Sequence, residues 1–453
     1  MNSYAVGGTL FAAMMILMAF RVPIAIAMFV PGAVGFAMLA NEAALLNQLK
    51  GAVYGRFSLY DLSVIPLFLL MGQFATQGGL SRALFRFGNA MLGHFKGGMA
   101  MAAVLACAAF GSVCGSSVAT AATIGQAALP EMRRFGYSGR LSTATLAAGG
   151  TLGILIPPSV PLVIYAILTE QNIAKIFAAA FIPGIIAAFG YCVAIGIYTR
   201  LNPGHAPDQP KASWEERKAA IIGVWPIALI FIIVFGGIYG GVFSPTEGAA
   251  VGAASTFIAA VAQRELNLAA FKKCFLGTAE TSGMIFLIFI GADIMNGALA
   301  LSQVPGQLAS LVAGLGWPPL AIIASILVFY IVLGCVMDEL SMILLTIPVI
   351  FPAVMGLDLG MPPADKAIWF GILVLMVVEI GLIAPPVGLN VYVINSLAKD
   401  VPMSETYKGV TPFLISDAIR TTLILFFPPV CLWLVWQLEA GVFSKFLKSI
   451  IGS

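Results

Sequence analysis

Charge is scarce in this sequence. Only 9% of its 453 residues are Asp, Glu, Lys or Arg, against 60% hydrophobic ones, and the mean hydropathy is +1.00. Soluble domains carry about a quarter of their residues charged, so this composition excludes one and describes a polytopic membrane protein. Histidine is nearly missing, with only His94 and His205. The six cysteines, at 107, 114, 192, 274, 335 and 431, stand singly without a CxxC pair. Both scarcities argue against a zinc or iron centre and against a disulfide framework. A net charge of +3, spread over short clusters between apolar runs, leaves no surface for nucleic acid. The first residues, Met1 to Tyr4, lack a basic region and run into apolar sequence, which reads as retained helix rather than cleaved signal.

What is present is a series of apolar runs, some interrupted by small or polar residues. Segments 4–20 and 22–40 form a tight helical hairpin around Arg21, Val22 and Pro23. A polar connection, 41–61, leads to a span near 64–80, and Arg82, Arg86 and Lys96 place 81–97 in the cytoplasm. Residues 98–130 return to a second basic cluster, Arg133, Arg134 and Arg140, so both ends lie on one side. Arms 98–110 and 118–130 each reach about 20 Å as helix, short of a hydrocarbon core of about 30 Å. The expected solution is a re-entrant hairpin with its tip at 111–117. Irregular backbone at that depth must be buried in protein or line a wet cavity.

The run 141–169 is broken at Pro157 and Pro158, which remove two helical N–H groups; Ser159 is placed to cap the half-helix that follows. A span at 174–199 precedes the longest hydrophilic loop, 200–218, also cytoplasmic by its basic residues. Spans near 219–242 and 245–262 follow, the second opening on a capping box from Ser244 to Glu247 that gives Glu247 a structural role. Arg264, Lys272 and Lys273 mark another cytoplasmic loop before a span at 280–301.

The pattern then repeats. After an uncharged connection, 302–317, the run 318–356 is interrupted at 334–341, and 367–397 is broken at Pro385 and Pro386. Pro157 superposes on Pro385, and an odd number of crossings separates the hairpins, so the second enters from the opposite face. This predicts an all-α membrane protein built as an inverted-topology repeat, with two re-entrant hairpins and two broken transmembrane helices. Residues 1–62 are scaffold, 63–199 the first repeat, 200–279 a loop and further scaffold helices, 280–440 the second repeat and 441–453 a tail. A last span near 414–438 leaves that tail, with Lys445 and Lys448, outside by count of crossings.

Hairpin tips facing unwound helices expose carbonyl oxygens that suit hard cations and helix N-termini that suit carboxylates. A first Na⁺ site is expected from Ser112, Cys114, Gly115, Gly153, Ile156 and Pro158, chiefly through carbonyls, and a second from Gly334, Met337, Asp338, Gly381, Ala384 and Pro386. Ser116, Ser117, Thr120 and Asn390 are candidates for substrate hydrogen bonds or for helix caps. Asp293, Asp338, Glu339 and Glu379 are ionisable groups inside apolar segments, a placement that argues for function. Asp338 has two readings, a cation ligand or the cap of the returning half-helix. Asp338 and Glu339, about 100° apart if helical, cannot form a shared-proton dyad, which argues against an enzyme. No arginine stands at an obvious carboxylate-clamping position.

The stretches from Gly111 to Thr120, Gly149 to Ser159, Ser244 to Gly248 and Glu379 to Asn390 together resemble the large membrane subunit, the DctM-type M subunit, of the tripartite ATP-independent periplasmic (TRAP) transporters. The resemblance spans essentially the whole chain. It implies an elevator-type importer in the bacterial inner membrane that couples an organic acid to two or more Na⁺ ions, with no organic cofactor. It also implies a small membrane subunit (Q) and a periplasmic substrate-binding protein (P) as partners. Val377 and Ala384 stand where that family often has Asn and Thr, which removes a hydroxyl from the second Na⁺ site, and Cys114 stands where a small Ser or Ala is usual. The alternative reading is a self-sufficient Na⁺/dicarboxylate symporter with the same hairpin plan.

Overall fold

The computed structural model describes residues 3–314 and 316–442. Lys445 and Lys448, with the rest of the tail beyond 442, lie outside the described residues. All regular secondary structure among the described residues is helical. In order, the helices are α1 (Ser3–Ala19), α2 (Ile24–Leu39), α3 (Glu42–Phe57), α4 (Val64–Gln77), α5 (Leu80–Leu92), α6 (Gly98–Cys114), α7 (Ser117–Arg134), α8 (Gly139–Leu155), α9 (Val160–Leu168) and α10 (Ile173–Leu201). The second half adds α11 (Trp214–Tyr239), α12 (Pro245–Ala262), α13 (Leu268–Leu301), α14 (Val304–Gly314), α15 (Pro319–Gly334), α16 (Glu339–Met355), α17 (Pro363–Ile383), α18 (Leu389–Leu397), α19 (Met403–Phe426) and α20 (Pro429–Glu439).

Helices α10, α11, α13, α17 and α19 are each long and apolar enough to cross a membrane, and α8 with α9 passes the same test as one span bent by 40°. The chain is therefore a multi-span membrane protein. With no water to satisfy the backbone at that depth, helix is the cheapest state, and it fills more of the chain than the sequence reading assigned. The connection 41–61 contains α3, and 302–317 contains α14. The basic stretch after residue 80 is the amphipathic α5, which buries Leu80, Ser81, Leu84, Phe85 and Gly88 and leaves Arg82 and Arg86 exposed. Lys272 and Lys273 belong to α13, not to a loop. The last span begins at Met403 rather than 414 and breaks at Phe427 and Pro428.

The hairpin tips are also shorter than expected. Gly111 to Cys114 contain no proline and stay helical, so only Gly115 and Ser116 interrupt the first hairpin. Gly115 ends α6 with φ +66°, a conformation that favours glycine. The arms are 17 and 18 residues, about 26 and 27 Å by helical rise, so arm length alone no longer separates a re-entrant hairpin from a crossing one. The second tip narrows from 334–341 to 335–338. The breaks stand where the prolines place them, at 156–159 and 384–388.

The order α4 to α10 is echoed by α13 to α19. Helix α6 has 17 residues and α15 has 16, α7 has 18 and α16 has 17, and α9 and α18 have nine each. Packing crosses between the halves, with α7 lying on α18 and α16 on α9. At the centre, α17 is buried at every position from Lys366 to Ile383, surrounded by α8, α9, α10, α15, α16, α18 and α19. Outside this block α2 packs on α13, where Gly32 admits the Met295 backbone, and α4 packs on α12.

Candidate functional site

The first break is built by two prolines and two glycines. Pro157 and Pro158 occupy the positions four residues beyond Gly153 and Ile154, where N–H groups would close the last α8 turns. Among the described residues no donor reaches the Gly153 or Ile154 carbonyl. Gly111 in α6 lies directly against the Gly153 Cα. A side chain at Gly153 would stand 2.6 Å from Thr120 Oγ1 and 2.8 Å from the Ser116 carbonyl. Gly115 is equally crowded, with the Pro158 carbonyl 2.9 Å from where its Cβ would be. The hairpin tip and the α8 break are thus in contact, backbone to backbone.

The first group of nominated residues is divided by this packing. Gly115, Gly153 and Pro158 meet at the break. The Cys114 carbonyl lies instead beside Gly72 of α4, 3.0 Å from a Cβ placed there. Ser112 donates its hydroxyl to Ala109 O at 2.8 Å and shares a crevice with Pro158, Met71, Phe231 and Val234. Ile156 caps α8 in extended conformation, with its N–H on Leu152 O. The Gly115 carbonyl accepts the Val160 N–H at 3.4 Å, so the hairpin tip supplies a cap for α9. Ser159 does not cap by its side chain: the second position of α9 is Pro161, which has no N–H to give, and among the described residues the buried Ser159 Oγ has no partner.

The second break repeats the construction. Pro385 and Pro386 stand four residues beyond Gly381 and Leu382, whose carbonyls likewise receive no donor among the described residues. Gly381 faces Gly334 of α15. Ala384 ends α17 with its N–H on Ile380 O, and Met337 is buried with its N–H on Leu333 O. The Pro386 and Val387 carbonyls both accept the Tyr407 hydroxyl, at 3.0 and 2.7 Å. Of the two readings of Asp338, the structure displays the cap. Its carboxylate accepts the Ser341 N–H at 3.2 Å and the Ser341 hydroxyl at 2.5 Å. Glu339 is buried, and its Oε2 has no hydrogen-bond partner among the described residues.

Between the breaks the two halves exchange a polar contact. Asn390, in the first turn of α18, donates to Ser117 Oγ at 2.6 Å and to Ala147 O at 3.2 Å, and its buried Oδ1 has no partner among the described residues. Thr120 Oγ1 is buried nearby, with no nitrogen or oxygen partner among the described residues. Ser116 caps α7 through a long 3.5 Å bond from the Ala119 N–H. Three nominated polar residues from opposite halves therefore gather on α8. Unmet donors and acceptors in such a place are what a polar ligand satisfies.

Sequence reasoning passed over Ile154 and Leu382, although the missing proline N–H groups point to their carbonyls as directly as to those of Gly153 and Gly381. It also passed over Asp417 and Arg420. Arg420 does clamp carboxylates, those of Glu379 and Asp417, each at 3.0 Å and almost fully buried. The available signal was two charges three residues apart in an apolar run. Glu247, by contrast, closes its capping box with Ser244 through bonds of 2.7 and 3.2 Å.

Comparison with known proteins gives this arrangement relatives. A family model, "Tripartite ATP-independent periplasmic transporter, DctM component", matches residues 11–430. The chain is 37% identical over 375 residues to the C4-dicarboxylate TRAP transporter large permease protein DctM of Pseudomonas aeruginosa, covering 82% of this chain and 86% of that one. It is 32% identical over 435 residues to the protein of the same description from Vibrio cholerae, covering 91% and 94%. Among solved structures the Alcanivorax borkumensis YdaH transporter shares the fold, with a TM-score of 0.57 and 12% identity over 86% of this chain and 91% of that one. The chain belongs to the DctM component family of the tripartite ATP-independent periplasmic transporters, and it is a transporter subunit rather than an enzyme.

Proposed function

We propose that this chain is the transport subunit of a Na⁺-coupled importer that carries an organic acid, a dicarboxylate, sialic acid or similar carboxylate, across the bacterial inner membrane. The observation that carries the reading is the pair of breaks, where four carbonyls, Gly153, Ile154, Gly381 and Leu382, lack N–H partners among the described residues and lie beside glycine contacts. Uncharged oxygens of this kind suit a weakly held monovalent cation that must bind and leave. Ser112, Cys114, Gly115, Ile156 and Pro158 would complete the first Na⁺ site. Gly334, Met337, Asp338, Ala384 and Pro386 would complete the second. Ser116, Ser117, Thr120 and Asn390 would receive the substrate between them, where the helix dipoles of α7 and α18 favour a carboxylate.

The hairpins are read as re-entrant because the tip at Gly115 and Ser116 lies against a break midway along the bent α8–α9 span. Inverted topology is supported by ion pairs that bring the α7–α8 turn to the α18–α19 turn, Arg133 with Asp400 and Arg140 with Glu405. Lys175 and Glu439 pair at 2.6 Å between the start of α10 and the end of α20, on what this topology makes the periplasmic side. In an elevator mechanism, the hairpins and broken helices of residues 63–199 and 280–440 form the moving block. Residues 1–62 and 200–279, with the small membrane subunit, form the scaffold. A periplasmic binding protein delivers the substrate.

Uptake of a radiolabelled organic-acid panel into proteoliposomes under an inward Na⁺ gradient tests the reading. Uptake that requires Na⁺, the small subunit and the binding protein is the expected outcome. Uptake by this chain alone would move it to the self-sufficient symporters, a reading that its relatives do not favour.

A further inference from the structure

Two buried residues outside both proposed Na⁺ sites stand at matching places in the two breaks. Thr151 lies two residues before Gly153 and Glu379 two before Gly381, and each precedes the first proline of its break by six positions. A continuous polar chain joins them. Thr151 Oγ1 lies 3.2 Å from the Tyr191 hydroxyl, its proton shared between that oxygen and Ala148 O at 2.8 Å, and Tyr191 donates to Asp417 Oδ2 at 2.8 Å. Within α19 Arg420 Nη2 is ion-paired with Asp417 Oδ1 at 3.0 Å, without hydrogen-bond geometry, and it donates to Glu379 Oε2 at 3.0 Å. Thr151, Tyr191, Asp417 and Glu379 are 0% exposed and Arg420 is 3% exposed. The links come from α8, α10, α19 and α17, and in the repeat α10 is the counterpart of α19 as α8 is of α17. The chain therefore runs from one break to the other through matched elements.

Charges taken this far from water are costly, and their best-attested use is to fix the register of the parts they join. At this burial a lost partner is costly to leave unreplaced, so a shift of α8 at Thr151 is either followed by α17 at Glu379 or breaks a buried contact. Apolar contact imposes no such condition, because it has no direction.

The geometry points to Thr151, Tyr191, Asp417, Arg420 and Glu379 as positioning residues that hold the two breaks in fixed relation, so that a cation settling at one sets the carbonyl geometry of the other. The functional half of this inference rests on the Na⁺ reading above, whereas its geometric half does not.

Two measurements test it on the assembled permease. The first is a Na⁺ titration of uptake with Thr151→Val and Tyr191→Phe, which remove a hydroxyl at nearly constant volume. The Hill coefficient is expected to fall from about 2 to about 1 with maximal uptake within about twofold, while Thr151→Ser keeps the wild-type value. Unchanged cooperativity in both hydroxyl-deleted variants, or a wild-type coefficient near 1, overturns the proposal. The second is amide deuterium exchange in nanodiscs without Na⁺. Tyr191→Phe is expected to speed exchange at residues 381–388, although the Tyr191 hydroxyl reaches α17 only through Asp417 and Arg420. Faster exchange confined to 151–159 overturns the link. Should wild-type uptake ignore Na⁺, the proposed function fails, and the exchange result still decides whether the two breaks are joined.

Discussion

Gly381 of α17 faces Gly334 of α15 so closely that a Cβ on Gly381 would lie 2.6 Å from the Gly334 Cα and carbonyl carbon. The obstacle is backbone, which cannot swing aside as a side chain does. Gly381→Ala is therefore expected to cost about 1–3 kcal/mol through overpacking and to separate the hairpin from the break. Gly153→Ala, meeting Thr120 and the Ser116 carbonyl, carries the same expectation. Thermal unfolding in detergent reads the first effect and the Na⁺ concentration for half-maximal uptake reads the second. An alanine variant with wild-type values in both would show that these contacts do not shape a cation site.

Tyr407 holds the Pro386 and Val387 carbonyls of the second break with one hydroxyl. Tyr407→Phe removes that donor at a cost of about 1 kcal/mol. It should alter the Na⁺ dependence of uptake more than the unfolding temperature, because the freed carbonyls belong to the break and not to the core.

Asn390 and Ser117 are 273 residues apart in sequence and 2.6 Å apart in space. Their coupling in a double-alanine cycle on stability is expected at about 0.5–1.5 kcal/mol. Substrate KM for uptake should rise in each single variant if Asn390 Oδ1 faces the substrate. A cycle that closes at zero would mean that the contact is not made in the membrane.

Arg420 serves two buried carboxylates. Arg420→Leu leaves both uncompensated and is expected to destabilise by about 3–5 kcal/mol, seen as a large fall in unfolding temperature or in membrane yield. The triple change with Glu379→Gln and Asp417→Asn removes the stranded charge and should recover much of that loss.

Topology can be read by labelling. Lys211→Cys, in the exposed segment before α11, is expected to react with an impermeant maleimide only from the cytoplasmic side, and Glu439→Cys only from the periplasmic side. Labelling of both from one side would contradict the inverted repeat.

Several features were legible in the sequence for local reasons. Two adjacent prolines remove two successive helical donors wherever the chain lies, so the breaks after Leu155 and Ile383 are announced by the pairs Pro157-Pro158 and Pro385-Pro386, whereas single prolines such as Pro183 leave their helices continuous. The Ser244 and Glu247 box spans three residues and needs no other element. Scarcity of charge determined that the chain lives in a membrane.

Tertiary structure decided the rest, because it depends on which helix faces which. Helix α6 continues through Gly111 to Cys114 because a backbone N–H in a dry interior pairs wherever it can, and local composition does not report that dryness. The first N–H of α9, that of Val160, goes to the Gly115 carbonyl, which comes from 45 residues earlier and which no local pattern announces. Asp417 and Arg420 acquire meaning only when α19 lies against α17 and α10. A side chain's type and spacing specify what it can bind, whereas its partner is specified by distances that only the folded chain contains.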